Sequence, residues 1–238
     1  MTGCATVSGM SWHIFNIEIS ALDLAALAFL AAAWGLIGWI IEHPPERRPS
    51  VTRLMVDFRR DWMRQFVTRQ PRIFDATMID SLRQGTAFFA STCLIAIGGC
   101  VALMGNPASL MNVTQEITAG TSGAIELRII PVVLFLADAL LKFVWSHRLF
   151  GYCAIMMAAV PNDPADPLAY HRAAQAAEVN IAAARNFNRG LQSVYFALAA
   201  LAWLFGAVPL ICATVVCLAV LVRREFWSES RAVILRGP

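Results

Sequence analysis

Asp138 and Lys142 stand four residues apart inside an otherwise apolar block, a spacing that sets both on one side of a helix. Charges in such a block raise a functional hypothesis, and two chemistries fit: a proton or ion pathway past Asp138, or an internal ion pair that orients neighbouring helices. Trp145, His147 and Arg148 follow at once and mark a polar boundary within snorkelling reach of Lys142. A second set of polar residues gathers where apolar blocks end: Arg59, Arg60, Arg64, Arg72, Asp75, Asn188 and Arg189. Arg59, Arg60 and Arg64 with Asp75 and Asn188 would suit an anionic lipid headgroup, as site of an intramembrane enzyme. Asp75 and Asp80 could in principle serve acid–base chemistry, but partnership with the surrounding arginines is the more economical reading.

The usual catalytic and metal-binding patterns are absent. Six cysteines (Cys4, Cys93, Cys100, Cys153, Cys212 and Cys217) include no CxxC pair, and four of them sit in apolar runs as small packing residues. None of the histidines at 13, 43, 147 and 171 falls inside an apolar block, where an axial haem ligand would sit. Without HExxH, a phosphate loop or a zinc spacing, the expectation is a protein that is not an enzyme and needs no metal or cofactor.

The elements that position these residues are four long apolar blocks, Ala21–Ile41, Gly85–Met104, Ile129–Val144 and Val194–Val222. With 58% hydrophobic and 15% charged residues, and nearly all charges between or after the blocks, lipid is the expected solvent of the apolar segments. The expected fold is an all-α polytopic membrane helical bundle forming a single domain over residues 1–238. Residues 1–20 hold no Lys or Arg, so the first block reads as a retained helix and not as a cleaved signal peptide.

Arginine placement sets the expected topology. Residues 42–84 hold nine arginines, the connection from Gly105 to Leu127 holds none, and the third connection carries Arg148, Arg172, Arg185 and Arg189. This alternation places the N-terminus outside and the basic loops in the cytoplasm of a cell inner membrane. A single crossing by the last block would strand Arg223, Arg224, Arg231 and Arg236 outside. Phe205-Gly206-Ala207-Val208-Pro209 offers a break near the middle of that block. Five crossings follow, at about 21–41, 85–104, 127–145, 188–205 and 209–226, with one long kinked helix and four crossings as the alternative.

Between the first two spans, residues 50–70 place Val51, Leu54, Met55, Phe58, Trp62 and Phe66 on one helical face, with arginines and aspartates on the rest. Ser50 is the expected N-cap and Pro71 the stop. This amphipathic helix either lies on the inner leaflet or packs its apolar face on the protein's own bundle. The alanine-rich stretch from Leu168 to Arg189 should be helical on propensity, and Gly190 permits a bend before the next span. Thr86, Ser91 and Thr92 with the small Gly85, Ala87, Ala90, Gly98 and Gly99 in the second block are read as packing and interhelical bonding positions, and the lining of a polar path as the weaker reading.

Several of these stretches resemble an uncharacterised bacterial and plant membrane family, domain of unknown function 599. They are Arg60-Asp61-Trp62-Met63-Arg64, Arg72-Ile73-Phe74-Asp75-Ala76, the run 84–92 (QGTAFFAST), the run 142–153 (KFVWSHRLFGYC), Phe187-Asn188-Arg189-Gly190 and Arg223-Arg224-Glu225-Phe226. The resemblance covers residues 20–230 and implies a polytopic membrane protein with no established activity. Asp138 departs from the apolar or aromatic residue the resemblance leads one to expect. The expected function is a structural or accessory membrane subunit contacting lipid, including anionic headgroups, a membrane-protein partner or further copies of itself, with no nucleic-acid partner. A small-solute or ion transporter or channel is the alternative.

Overall fold

The structure is a computed structural model that describes residues 12–14, 17–105 and 122–236. Cys4 and most of the arginine-free connection after the second block lie outside the described residues. The chain is built from helices α1 (Ala21–Glu42), α2 (Val51–Thr68), α3 (Ile73–Gly105), α4 (Ser122–Ala158), α5 (Pro167–Leu201), α6 (Ala207–Phe226) and α7 (Glu229–Leu235). A short antiparallel strand pair, β1 (Trp12–Ile14) and β2 (Ile17–Ile19), precedes them with Trp12 opposite Ile19, an addition to the purely helical expectation.

Local chemistry sets the helix ends. Ser20 and Asp23 form a reciprocal capping box on α1. Ser50 caps α2 by accepting from Arg53 N at 3.1 Å, and donates its own hydroxyl to Ile41 O at 2.7 Å, tying the start of α2 to the end of α1. Asp166 caps α5, whose first residue is Pro167.

The last apolar block is broken. A 3-10 turn over Ala202–Phe205 leads to Gly206, whose φ of 113° lies in the left-handed region that glycine adopts without strain, and α6 starts at once. Pro209 sits in the first turn of α6, where its missing N–H costs nothing. Arg224 donates to the Tyr195 hydroxyl, whereas 29 residues of continuous helix would hold them about 43 Å apart. The chain therefore doubles back, and the single long helix is excluded.

Two ends of a common helical layer can be traced from these contacts. At one, Trp203 Nε1 donates to Asp23 at 2.8 Å and Arg128 to Leu204 O at 3.3 Å. At the other, Glu42 meets Arg189, and Thr52 meets Glu225. Five segments run between them: α1, the later part of α3, the earlier part of α4, the later part of α5, and α6. Their shared core includes Leu30, Ile37, Leu136, Phe143, Phe196, Trp203 and Leu210. By length and composition, α1, α3 and the Ala207–Leu235 stretch are apolar enough to cross a membrane.

Helices α3, α4 and α5 extend beyond the apolar blocks, and with α2 they enclose a second core of Met63, Phe66, Val67, Ile79, Phe150, Cys153, Met157 and small alanines of α5. The apolar face of α2 finds its partner in the alanine-rich half of α5, because Ala169, Ala173, Ala176 and Ala177 leave room for Met63 and Phe66. The later part of α2 packs on the protein's own bundle through Met63, Phe66 and Val67, while Phe58 stays exposed.

Glycine usage also departs from expectation. A Cβ on Gly98 or Gly99 would meet nothing within 4 Å, so these are not close-approach sites among the described residues. Gly190 is such a site: α5 runs straight through it, and a Cβ there would stand 2.7 Å from the Phe143 ring.

Candidate functional site

Asp138 and Lys142 lie on the inward side of α4, facing α1 and α5. Lys142 Nζ donates to Asp138 Oδ2 at 2.6 Å, and Ser193 of α5 donates to the same oxygen at 2.5 Å. Trp34 of α1 closes the group, donating Nε1 to Ser193 Oγ at 3.2 Å with Lys142 Nζ 4.8 Å from its ring centroid. Gln192 adds a link from α5 to Trp34 O at 2.6 Å, in a slot that a side chain on Gly38 would fill, since its Cβ would meet Gln192 Oε1 at 2.9 Å. The Asp138 carboxylate joins α4 to α5, and the Ser193 hydroxyl carries the link on to α1. A cavity of about 250 Å³ runs from Lys142 past Gln192 to Glu42 and Arg189.

At the polar end of the layer, Arg189 holds Glu42 through two guanidinium nitrogens, its Nη2 at 2.5 Å from Glu42 Oε2. Thr52, at the start of α2, donates both backbone N (3.0 Å) and Oγ1 (3.1 Å) to Glu225 of α6, and Asn188 reaches Thr52 Oγ1 at 3.4 Å. These contacts clamp α1, α2, α5 and α6 together. Glu42, Thr52, Ser193 and Glu225 were missed in the sequence because their partners lie on other helices.

The remaining expected positions do not converge on one headgroup site. Arg59 turns inward to Asn180 Oδ1, and burial lowers its pKa from the usual arginine value. Asn180 in turn donates to Cys153 at 3.7 Å, whose thiol burial pushes up to about 11. Arg60 pairs with Glu178 at 2.8 Å on the surface, and Arg64 stands 3.9 Å from Asp61 with both side chains exposed. Such exposed pairs add little to stability. Asp75 is fully buried and accepts from Trp62 Nε1 at 2.6 Å and Arg69 Nη1 at 2.5 Å. It is an arginine partner, as the economical reading had it.

Arg72 braces the turn between the second core's helices. Its Nη1 donates to Val160 O at 2.9 Å and its Nη2 to Pro161 O at 2.8 Å and Val67 O at 3.2 Å, while its guanidinium lies 4.6 Å from the Phe66 ring centroid. Thr86 is buried and donates to Arg83 O at 2.6 Å, with His147 Nδ1 at 3.1 Å; Thr92 bonds only its own helix, at Phe88 O. Among the described residues no group of three or more His, Cys, Asp or Glu side chains is placed to hold a metal ion.

The architecture is that of a helical protein with an apolar layer and a basic, polar end. The chain belongs to the family described as protein of unknown function, DUF599, which matches residues 25–230. Comparison with curated proteins and with solved structures finds no match.

Proposed function

We propose that this protein is a non-enzymatic, structural or accessory component of a bacterial inner membrane, crossing it five times and contacting lipid or partner membrane proteins through α3. The observation that carries the reading is the exposure of that helix. Only 6% of its most apolar window is buried within the protein, and Phe88, Leu94, Ile95 and Val101 face outward. In water such a face would be a large apolar patch, which marks a lipid or protein contact surface.

Charge distribution supports the orientation. Arg128 is the one arginine at the Asp23 and Trp203 end; the others lie on helix ends and extensions toward Glu42 and Glu225, the asymmetry that favours a cytoplasmic location for that end. The second core then projects into the cytoplasm. The transport reading draws less support, because Asp138 and Lys142 are committed to each other, to Ser193 and to Trp34.

Photo-crosslinking from position 95 in native membranes, followed by mass determination of the particle in nanodiscs, tests the accessory role. The expected product is a stoichiometric adduct with one other membrane polypeptide or with a second copy. Adducts to lipid alone, on a particle of one chain, would rule that role out.

A further inference from the structure

A cavity of about 430 Å³ opens between the end of α2, the first turns of α3 and the last turns of α4. Two arginines line it, Arg72 and Arg83, against one carboxylate, Asp80, which is engaged by Gln84 Nε2 at 2.7 Å. Three buried side-chain polar atoms lack a hydrogen-bond partner among the described residues, and two of them are the Nε atoms of these arginines. Arg72 has its terminal nitrogens occupied by backbone carbonyls, so its charge meets dipoles and no carboxylate. Arg83 makes no side-chain hydrogen bond or ion pair among the described residues. The terminal nitrogens of Arg83, unlike these two Nε atoms, are accessible and have no partner among the described residues, which leaves a guanidinium charge at the cavity open to an anion.

The walls say what kind of acceptor fits. Phe66, Ile79 and Met157 supply apolar surface, and Asn162 adds an amide. Arg83 stands two residues before Gly85, where the apolar block begins, and Arg72 lies about 16 Å further along the helix axis. The cavity thus spans the level at which lipid headgroups would sit. Guanidinium groups recognise phosphate oxygens through charge-assisted hydrogen bonds.

We propose that this cavity binds a phosphate ester, with the terminal nitrogens of Arg83 on the phosphate oxygens and Phe66, Ile79 and Met157 against the ligand's carbon skeleton. The ester is the headgroup of an anionic phospholipid or a soluble organophosphate. The lipid source rests on the membrane orientation proposed above; the soluble source does not, so the two failures are separable.

The full chain in neutral detergent is tested with phosphatidylglycerol, retained lipid being read by native mass spectrometry, and with glycerol 1-phosphate and inorganic phosphate, read by thermal shift. Wild type and Arg47→Gln, an exposed arginine away from the cavity, should bind alike; Arg83→Gln should bind about ten- to a hundredfold more weakly. The Arg83 side chain anchors nothing else among the described residues, so this variant should keep the wild-type elution volume and helical circular dichroism. Ala154→Trp, which fills the cavity from α4 with both charges intact, should displace the ligand equally. Saturable binding of phosphatidylglycerol alone assigns the lipid source, and of glycerol 1-phosphate alone the soluble one. No saturable binding of any probe to wild type, or unchanged affinity in both variants, would overturn the proposal.

Discussion

Replacing Asp138 with asparagine keeps the shape of the side chain and removes its charge. The carboxylate accepts from Lys142 at 2.6 Å and Ser193 at 2.5 Å, and the two charged side chains are 35% and 20% exposed. Removing one partner of a well-buried pair costs about 3–5 kcal/mol. Partial exposure of both groups lowers that to about 2 kcal/mol, with Ser193 and the Trp34 ring remaining near the lysine. For a chain of this size about 2 kcal/mol corresponds to a thermal midpoint lowered by about 4–8 °C. Lys142→Met should cost a similar amount, and the double variant little more than either single one, because replacing both charges removes the penalty together with the bond. A thermal double-mutant cycle in one detergent measures this coupling. Coupling below about 0.5 kcal/mol would refute the assignment of Asp138 and Lys142 as an ion pair that stabilises the fold. In proteoliposomes, the structural reading expects no ion or solute flux that depends on Asp138, and an Asp138-dependent flux would revive transport.

Gly190→Ala drives a Cβ to 2.7 Å from Phe143, whose ring is held between Phe89 and Phe187 at centroid distances of 5.4 and 5.5 Å; about 1–3 kcal/mol of destabilisation should appear in thermal melts, relieved by Phe143→Leu. Gly98→Ala, in open space, should show no such loss. Asp75→Ala leaves Trp62 Nε1 and Arg69 without their shared acceptor and should lower stability by about 2–4 kcal/mol in the same assay. Cys153, its thiol pushed up to about 11 by burial, stays protonated at neutral pH and should resist iodoacetamide at pH 8 until the second core is unfolded; peptide mapping would show it.

The break near Pro209 was legible because Gly accepts the left-handed backbone a sharp turn needs and Pro cannot continue a helix's hydrogen-bond ladder, and the structure places the turn at Gly206, three residues earlier. The Asp138 and Lys142 pair was legible for a similar reason, since helical periodicity alone brings the two together. Ser50 as a cap followed from its place ahead of an amphipathic run. Ser193 and Trp34 were not legible, because a hydroxyl and an indole among apolar residues acquire their role only when α5 is laid beside α1. The same holds for Arg83, one of nine arginines between positions 42 and 84, distinguished from the others only by the cavity beside it. The second core escaped notice because polar faces on α2, α3 and α5 masked helices whose small alanines permit close packing. The glycines misled in both directions: small size in an apolar block drew attention to Gly98 and Gly99, while the packing slots are at Gly38 and Gly190.

Single-cysteine labelling tests most directly the five crossings with a cytoplasmic basic end proposed for this protein. Exposed positions at Glu126, Ala165 and Ser230 would each be replaced by cysteine in a chain lacking its native cysteines, and treated with a membrane-impermeant maleimide. The topology predicts labelling of Glu126→Cys in intact spheroplasts, and of Ala165→Cys and Ser230→Cys only after the membrane is opened. Labelling of Ser230→Cys in intact spheroplasts, with Ala165→Cys still protected, would place the two basic segments on opposite sides and contradict the account.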